Sequence, residues 1–245
     1  MFNAETQKQN VINWIREWFS ENGPKADAVL GISGGKDSTI TAALMAEALG
    51  KDRVVGVLMP NGIQPDINDS EAVIEHLGIR SHTVDISPAV DALMRSVGSV
   101  MGSVSEDTKI NIPPRVRMTV LYAIAQSLQN GGRVINTCNR SEDYIGYSTK
   151  YGDAAGDMSP LSGFTVSEVK EIGRLLDIPH YLVDKTPSDG LSGLSDEDKI
   201  GFTYEVLDRY ILTGECEDEK IREKIDRMHR INLHKLKVIP SYKPV

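Results

Sequence analysis

Cysteine is scarce in this sequence, since only Cys138 and Cys216 occur among its 245 residues. The two are distant in the chain and neither belongs to a C-x-x-C pair. This pattern argues against a disulfide framework, a zinc site and sulfur-carrier chemistry. So little cysteine fits a reducing compartment, and we expect a cytoplasmic protein.

Basic residues are fewer than acidic residues in this sequence. The chain has 27 Lys and Arg against 35 Asp and Glu, a net charge of −8 and an isoelectric point near 5.2. Nucleic-acid backbones and anionic membranes attract basic surfaces, so neither is an expected partner. The opening residues, M-F-N-A-E-T-Q-K-Q-N, have no apolar signal-peptide core. No run approaches the roughly 18 apolar residues of a membrane helix.

Apolar segments alternate between strand-like and helix-like spacing along the chain. Such alternation is typical of an α/β fold, here a doubly wound, mostly parallel sheet with helices on both faces. A chain of this length with 40% hydrophobic residues suffices for one domain, 1–245. The predicted strands are 26–30, 54–59, 80–84 and 133–137, and the predicted helices are about 6–21, 39–49, 67–77, 88–97, 114–129, 165–177, 204–212 and 217–232.

A glycine-rich turn separates the first predicted strand from the helix that follows it. Glycines allow backbone N–H groups to approach an anion, the helix N-terminus adds partial positive charge, and Lys36 adds a full charge. The turn therefore predicts a site for an oligophosphate, in which Lys36 supplies the full positive charge. The residues of the turn are Gly31, Ile32, Ser33, Gly34, Gly35, Lys36, Asp37 and Ser38.

The order of residues in this turn excludes two common nucleotide-binding motifs. Counted from Gly31, the sixth residue is Lys36, where a Walker A loop requires glycine. The dinucleotide pattern G-x-G-x-x-G is absent as well. Asp37 is an acid beside phosphates, and we interpret it as a ligand of Mg²⁺. The alternative is a structural loop in which Asp37 and Ser38 only cap the helix.

Two segments, 98–111 and 181–199, are predicted to be loops. Both are rich in glycine and serine and are too long to be simple connections. Loops of this kind often close over a ligand. We therefore expect both segments to act as lids.

Several blocks of the sequence resemble one enzyme family. S-G-G-K-D-S resembles the pyrophosphate loop of the N-type ATP pyrophosphatases. The resemblance to ammonia-dependent NAD synthetase extends over nearly the whole chain, through residues 111–118 (N-I-P-P-R-V-R-M), 139–161 (N-R-S-E-D-Y-I-G-Y-S-T-K-Y-G-D-A-A-G-D-M-S-P-L), 184–198 (D-K-T-P-S-D-G-L-S-G-L-S-D-E-D) and 234–235 (H-K). It implies an adenine nucleotide alpha hydrolase-like fold. It also implies a ligase that adenylates the nicotinate carboxylate of deamido-NAD⁺ with ATP, releases pyrophosphate and lets ammonia displace AMP. In such a ligase residues 31–38 bind ATP, and Lys36 has a catalytic role because it stabilises the charge on the departing pyrophosphate.

The resemblance also implies roles for individual residues. Asp37 and Glu142 match the family's magnesium ligands, and Thr137 and Ser188 match positions that contact ATP. The family's homodimeric assembly is expected here as well. Positions that hold deamido-NAD⁺ are matched by Arg115, Lys150, Asp157, His234 and Lys235.

Two expectations concern the nitrogen donor. Asp189 lies where a carboxylate can take a proton from ammonium, and this prediction of a catalytic role rests on its position alone. Glutamine-using NAD synthetases carry an additional amidase domain with a nucleophilic cysteine. The chain length leaves no room for that domain, and neither cysteine has a supporting context. Free ammonia is therefore the predicted donor.

Other interpretations of these residues stay open at this point. Glu142 can cap a helix that begins near Ser141, and Lys150 with Asp157 can be an ordinary exposed pair. The His234-Lys235 pair is compatible with solvated surface. For the whole protein, the rivals are a nucleotide-binding module without catalysis and another N-type pyrophosphatase, such as a tRNA lysidine or thiolation enzyme or a GMP synthetase core.

Overall fold

A parallel four-stranded sheet forms the centre of the computed structural model, which describes residues 2–63, 67–184 and 195–244. The strands are β1 (Asp27–Gly31), β2 (Val54–Leu58), β3 (Arg80–Thr83) and β4 (Gly132–Val134). Val29 of β1 pairs with Val55 of β2 on one side and with Val134 of β4 on the other. The predicted parallel α/β sheet is therefore confirmed.

The α-helices follow the strands in the alternation that the sequence predicts. Their bounds are α1 Ala4–Asn22, α2 Lys36–Leu49, α3 Ile67–Leu77, α4 Ser87–Met101, α5 Glu106–Ser127, α6 Arg140–Ile145, α7 Val166–Gly173, α8 His180–Asp184, α9 Asp196–Ile200, α10 Tyr204–Thr213 and α11 Glu219–Asn232. None of the helices in the described part of the chain is long and apolar enough to cross a membrane.

The strand order β3-β2-β1-β4 creates one reversal in the sheet. The chain adds β2 and β3 on one side of β1 and then returns to add β4 on the other side. In open α/β sheets, ligands bind beyond the carboxyl ends of the strands at such a reversal. The turn that begins at Gly31 and the segment that follows Val134 both leave the sheet at this place.

Helices cover both faces of the sheet. Leu30 belongs to a buried cluster with side chains of α1, α2, α7 and α8, whereas its neighbour Val29 belongs to a second cluster with side chains of α4 and α5. This division follows from the period of two residues along a strand. A third cluster includes Ile145, Leu207 and Ile225, and it joins α6, α9, α10 and α11 beside the sheet.

The outer edge of β4 is covered by residues that lie far ahead in the chain. Asp157 binds both backbone groups of Val134, because its N–H donates to the Val134 carbonyl at 2.7 Å and its carboxylate accepts from the Val134 N–H at 2.7 Å. Ile135 then forms an isolated parallel bridge with Met158. Residues 157 and 158 therefore pair with the outer edge of β4 and with Ile135, which follows it.

The predicted loop over 98–111 is wrong. Helix α4 continues through Gly98 to Met101, and α5 already begins at Glu106. Helix α4 ends at Gly102, which takes the left-handed conformation that ends many helices. Ser105 then caps α5, because its side chain accepts from the Thr108 N–H. Only residues 102–105 connect the two helices, so this segment is not a long lid.

The prolines at 113 and 114 misled the prediction of where α5 begins. Proline is common in the first turn of a helix, and the sequence pattern therefore predicts a start near Pro114. In the structure both prolines lie inside α5. The carbonyls that lose an N–H partner belong to Lys109 and Ile110, which are exposed, so water can replace the missing donors.

The second predicted lid, 181–199, is helical at both of its described ends. Its first residues belong to α8, and its last belong to α9. Residues 185–194, which include the predicted sites Ser188 and Asp189, lie outside the described residues.

Candidate active site

The glycine-rich turn forms a closed loop between β1 and α2. The Ser33 and Ser38 hydroxyls lie 3.1 Å apart, and Ser38 Oγ also accepts from the Ser33 N–H at 3.2 Å. The Gly35 N–H donates to Ser33 Oγ at 3.2 Å. The loop thus directs hydroxyls and the first turn of α2 to one place, as an anion site requires. The interpretation that Asp37 and Ser38 merely cap α2 is not supported, because Gly35 is the N-cap residue and no side chain caps it.

Gly34 allows this loop to pack tightly against the first turn of α3. Its φ of +73° is in the left-handed region. A Cβ at this position would lie 2.8 Å from Asp69 Cβ and 3.0 Å from the Ser70 nitrogen. Both the conformation and the close approach therefore require glycine.

Lys36 is buried at the start of α2, with only 1% of its side chain exposed. Its Nζ donates to Asp37 Oδ2 at 2.6 Å and lies 5.9 Å from the centre of the Tyr204 ring. Burial disfavours the ammonium, but attraction to Asp37 and Glu142 outweighs it and raises the pKa of Lys36 above its ordinary value. The side chain is therefore a fixed positive charge in the site.

Glu142 reaches the same site from α6. Asn139 caps that helix, and Glu142 Oε2 accepts weakly from the Asn139 N–H at 3.5 Å. The predicted alternative, in which Glu142 takes part in a helix cap, is thus correct. It does not exclude a metal role, because desolvation and then the charge of Asp37 raise the pKa of Glu142 to about 8. Two carboxylates that repel each other in this way favour a bound cation.

The donor set of Asp37 and Glu142 fits magnesium. Mg²⁺ prefers oxygen ligands, and it is commonly held by one or two carboxylates together with substrate phosphates. Within the described ranges, no group of three or more His, Cys, Asp or Glu side chains is placed to hold a metal. The pair would therefore need further oxygens from a nucleotide, and the phosphate-type loop lies beside it.

Two residues that the sequence interpretation did not assign also face this cluster. Tyr204 of α10 is buried, and its hydroxyl has no hydrogen-bond partner among the described residues. Burial, then the charges of Glu142 and Asp196, raise the pKa of Tyr204 well above its ordinary value. Asp196 opens α9 and accepts from the Tyr147 hydroxyl at 3.2 Å. Asp196 belongs to the block 184–198 that resembles the family, and this resemblance is the feature of the sequence that could have identified it.

A buried carboxylate fixes α6 in place. Asp208 of α10 accepts from the Ser141 hydroxyl, and its other oxygen accepts from the backbone N–H and hydroxyl of Ser167 at 2.8 and 2.6 Å. The Val166 N–H donates to Ser141 Oγ at 3.1 Å. One side chain thereby joins α6, α7 and α10 behind Glu142.

The residues predicted to hold deamido-NAD⁺ lie around α5 and the segment 146–157. Arg115 Nε donates to the Lys150 carbonyl at 3.2 Å, and the Lys150 ammonium lies 5.2 Å from the centre of the Tyr151 ring. Asp157 accepts from the Tyr122 hydroxyl at 3.2 Å as well as from β4. Arg115 and Lys150 are thus in direct contact, while Asp157 lies at the sheet edge.

The closing pair lies near the end of α11. Lys235 Nζ donates to the carbonyls of Gly146 at 2.7 Å and Ser148 at 3.0 Å, and desolvation lowers its pKa. His234 is exposed, and its Nδ1 is 3.0 Å from the Ile231 carbonyl. The prediction that Thr137 ends its strand is wrong, because β4 ends at Val134 and Thr137 lies in the connection to α6. Lys235 therefore holds the segment that carries Lys150, in addition to any role with substrate.

Comparison with known proteins identifies relatives of this chain. A model described as NAD synthase matches residues 7–243. The NH₃-dependent NAD⁺ synthetase of Pyrococcus furiosus is 41% identical over 204 residues, covering 83% of this chain and 77% of the relative. That of Finegoldia magna is 37% identical over 236 residues, covering 96% and 94%. The solved structure of NMN synthetase from Francisella tularensis is 36% identical, with a TM-score of 0.88 over 99% of each chain.

Because one family model matches almost the entire sequence, and the resemblance of the individual motifs agrees with it, the chain belongs to the NAD synthase family.

Proposed function

We propose that the protein is an ammonia-dependent NAD⁺ synthetase, a ligase that forms NAD⁺, AMP and pyrophosphate from deamido-NAD⁺, ATP and ammonia. The observation that carries this proposal is the meeting of Lys36, Asp37 and Glu142 beside the phosphate-type loop, at the reversal of the sheet. The names of the relatives support the same reaction. A binding module without catalysis has no need for this charged cluster.

The reaction begins with the nicotinate carboxylate. One of its oxygens attacks the α-phosphorus of ATP, and the bond from that phosphorus to pyrophosphate breaks. The loop N–H groups and Lys36 stabilise the charge that moves onto pyrophosphate. Residues 31–38, Thr137 and Ser188 are the proposed ATP contacts. Ammonia then attacks the acyl carbon, loses a proton, and displaces AMP.

Magnesium is the proposed metal, held by Asp37 and Glu142 with phosphate oxygens. When bound, it supplies positive charge that neutralises the triphosphate. The chain's own contribution is to hold the two carboxylates and Lys36 in a buried setting, where electrostatic interactions are stronger than in water. Asp189 is the proposed acceptor of the proton from ammonium.

The nucleotide substrate is proposed to lie along α5 and the segment after α6. Arg115 and Lys150 carry positive charges toward a dinucleotide's phosphates, and Asp157, His234 and Lys235 complete the proposed set. A homodimer is proposed as well, because α4 and α5 expose apolar side chains; these are Leu93, Val100, Met101 and Ile110. Sedimentation velocity at several protein concentrations measures that assembly, and a monomer at every concentration would contradict it.

A second candidate substrate is nicotinic acid mononucleotide. The chain is 36% identical to a structure named NMN synthetase and 37% identical to a named NAD⁺ synthetase, so overall identity does not choose between them. Both substrates present the same nicotinate carboxylate. The proposed chemistry at Lys36 and Glu142 is identical for the two.

Exchange of labelled pyrophosphate into ATP tests the proposal. We expect exchange only when a nicotinate nucleotide is present, because adenylation of the carboxylate is the reversible step. Exchange without that nucleotide, or ADP as the product, would refute it. Parallel kcat/KM measurements with deamido-NAD⁺ and nicotinic acid mononucleotide decide the substrate, and ammonium against glutamine decides the nitrogen donor.

A further inference from the structure

Asn139 occupies an unusual position between the two halves of the site. It lies between β4 and α6 and is completely buried. Its amide nitrogen donates to Asp37 Oδ1 at 3.2 Å, across 102 residues of sequence. Its carbonyl oxygen accepts from the N–H groups of Ser141 and Glu142, each at 3.0 Å. One side chain therefore contacts the phosphate-loop carboxylate and caps the helix that carries the other carboxylate.

The backbone of Asn139 contributes a third link. Its N–H donates to Glu142 Oε2 at 3.5 Å, while Lys36 holds the remaining oxygen of Asp37 at 2.6 Å. Asp37 is thus fixed from two sides, and Glu142 is fixed in both its backbone and its side chain. Asn139 therefore contacts both carboxylates and acts on the separation between them.

The residue type fits this double task better than other caps. Serine, threonine, aspartate and asparagine all supply an oxygen that caps a helix. A serine or threonine hydroxyl is too short to reach Asp37 while it caps α6. Aspartate would add a third negative charge beside Asp37 and Glu142. Asparagine alone among them offers an acceptor and an uncharged N–H donor on one side chain.

We infer that Asn139 is a positioning residue that sets Asp37 and Glu142 at the separation needed to bind a divalent cation with ATP. This inference rests on the magnesium site of the proposed function. Groups that orient metal ligands typically change metal affinity about 10- to 100-fold when they are removed. Asn139 opens the block 139–161 that resembles the family, but that resemblance assigns it no role.

Binding of Mn²⁺, measured by electron paramagnetic resonance with a non-hydrolysable ATP analogue, tests the inference. The variants Asn139→Ser and Asn139→Thr keep a cap oxygen and lose the amide. We expect each to bind Mn²⁺ about tenfold more weakly or worse. The Mg²⁺ concentration for half-maximal activity should rise by a similar factor, with a smaller change in kcat at saturating Mg²⁺.

Thr165→Ala is the matched control. Thr165 is also a completely buried N-cap with a capping box, on α7, but it contacts neither carboxylate. Its loss should lower thermal stability and leave Mn²⁺ affinity unchanged. Equal weakening in Thr165→Ala, wild-type affinity in both Asn139 variants, or failure of both to fold while Thr165→Ala folds would each overturn the inference. If the wild type itself binds no Mn²⁺, the proposed metal site fails, and the inference fails with it.

Discussion

At the scale of single residues, the site is a balance of buried charge. Lys36 is the only cation in direct contact with Asp37 among the described ion pairs, and Glu142 adds a second carboxylate nearby. Removing one partner of a buried pair leaves the other charge unpaired. Lys36 thus has a structural role in addition to the catalytic role that the sequence predicts.

Lys36→Met should therefore reduce both stability and catalysis. We expect the free energy of unfolding to fall by roughly 3 kcal/mol and the exchange rate to fall roughly 10²- to 10³-fold. Urea unfolding and pyrophosphate exchange measure the two effects. Lys109→Met is the control, because Lys109 and its partner Glu106, 2.6 Å apart, are both exposed, and such pairs contribute at most about 1 kcal/mol. Equal losses in both variants would show that burial of the Lys36 pair does not matter.

At the scale of elements, the short helix α6 depends on its neighbours. It has six residues, too few to be stable alone. Asn139 and Asp208 hold its start, and Asn232 of α11 donates to the Ile145 carbonyl at 3.0 Å at its end. Gly146 then ends the helix with a φ of +65°.

Gly146→Ala should be more damaging than alanine at a comparable helix end. A Cβ at Gly146 would lie 2.1 Å from Asn232 Cβ, whereas one at Gly214, with φ +78°, would meet nothing within 4 Å. Gly214→Ala should cost about 1 kcal/mol because of its backbone alone. Gly146→Ala should cost roughly 2–4 kcal/mol, since displacement of α11 is added. Urea unfolding of both variants measures the difference, and equal costs would contradict the packing argument.

Local signals were enough for part of the fold and the site. The turn from Gly31 to Ser38 is contiguous, so its strand, loop and helix are readable from sequence alone. Tyr204 and Asp196 reach Lys36 only through the packing of the third cluster, which has no local signature. The prolines of α5 gave a misleading signal, because proline marks a helix start more often than an interior position.

At the scale of the whole molecule, the metal-free protein should become less stable as pH rises. The pKa of Glu142 is raised from 4.5 to about 8. Between these values the unfolded chain has lost the proton that the folded protein retains. Because the folded state then binds more protons, the free energy of unfolding falls with increasing pH across this range and levels off above it.

Glu142→Gln should remove this part of the pH dependence. Thermal or urea unfolding from pH 4.5 to 8.5, without divalent cation, compares the two proteins. The difference between wild type and variant should change most between about pH 5 and 8. Mg²⁺ with ATP should flatten the wild-type curve, because a bound cation favours the ionised carboxylate. Parallel curves for the two proteins would refute the role of Glu142.

The contact of Asp157 with β4 affects how variants of this residue are interpreted. An uncovered outer strand can pair with a second chain and promote aggregation. Asp157→Ala would remove the carboxylate that satisfies the Val134 N–H. A loss of activity in that variant would therefore mix weaker substrate recognition with poorer solubility, and light scattering would have to accompany any kinetic measurement.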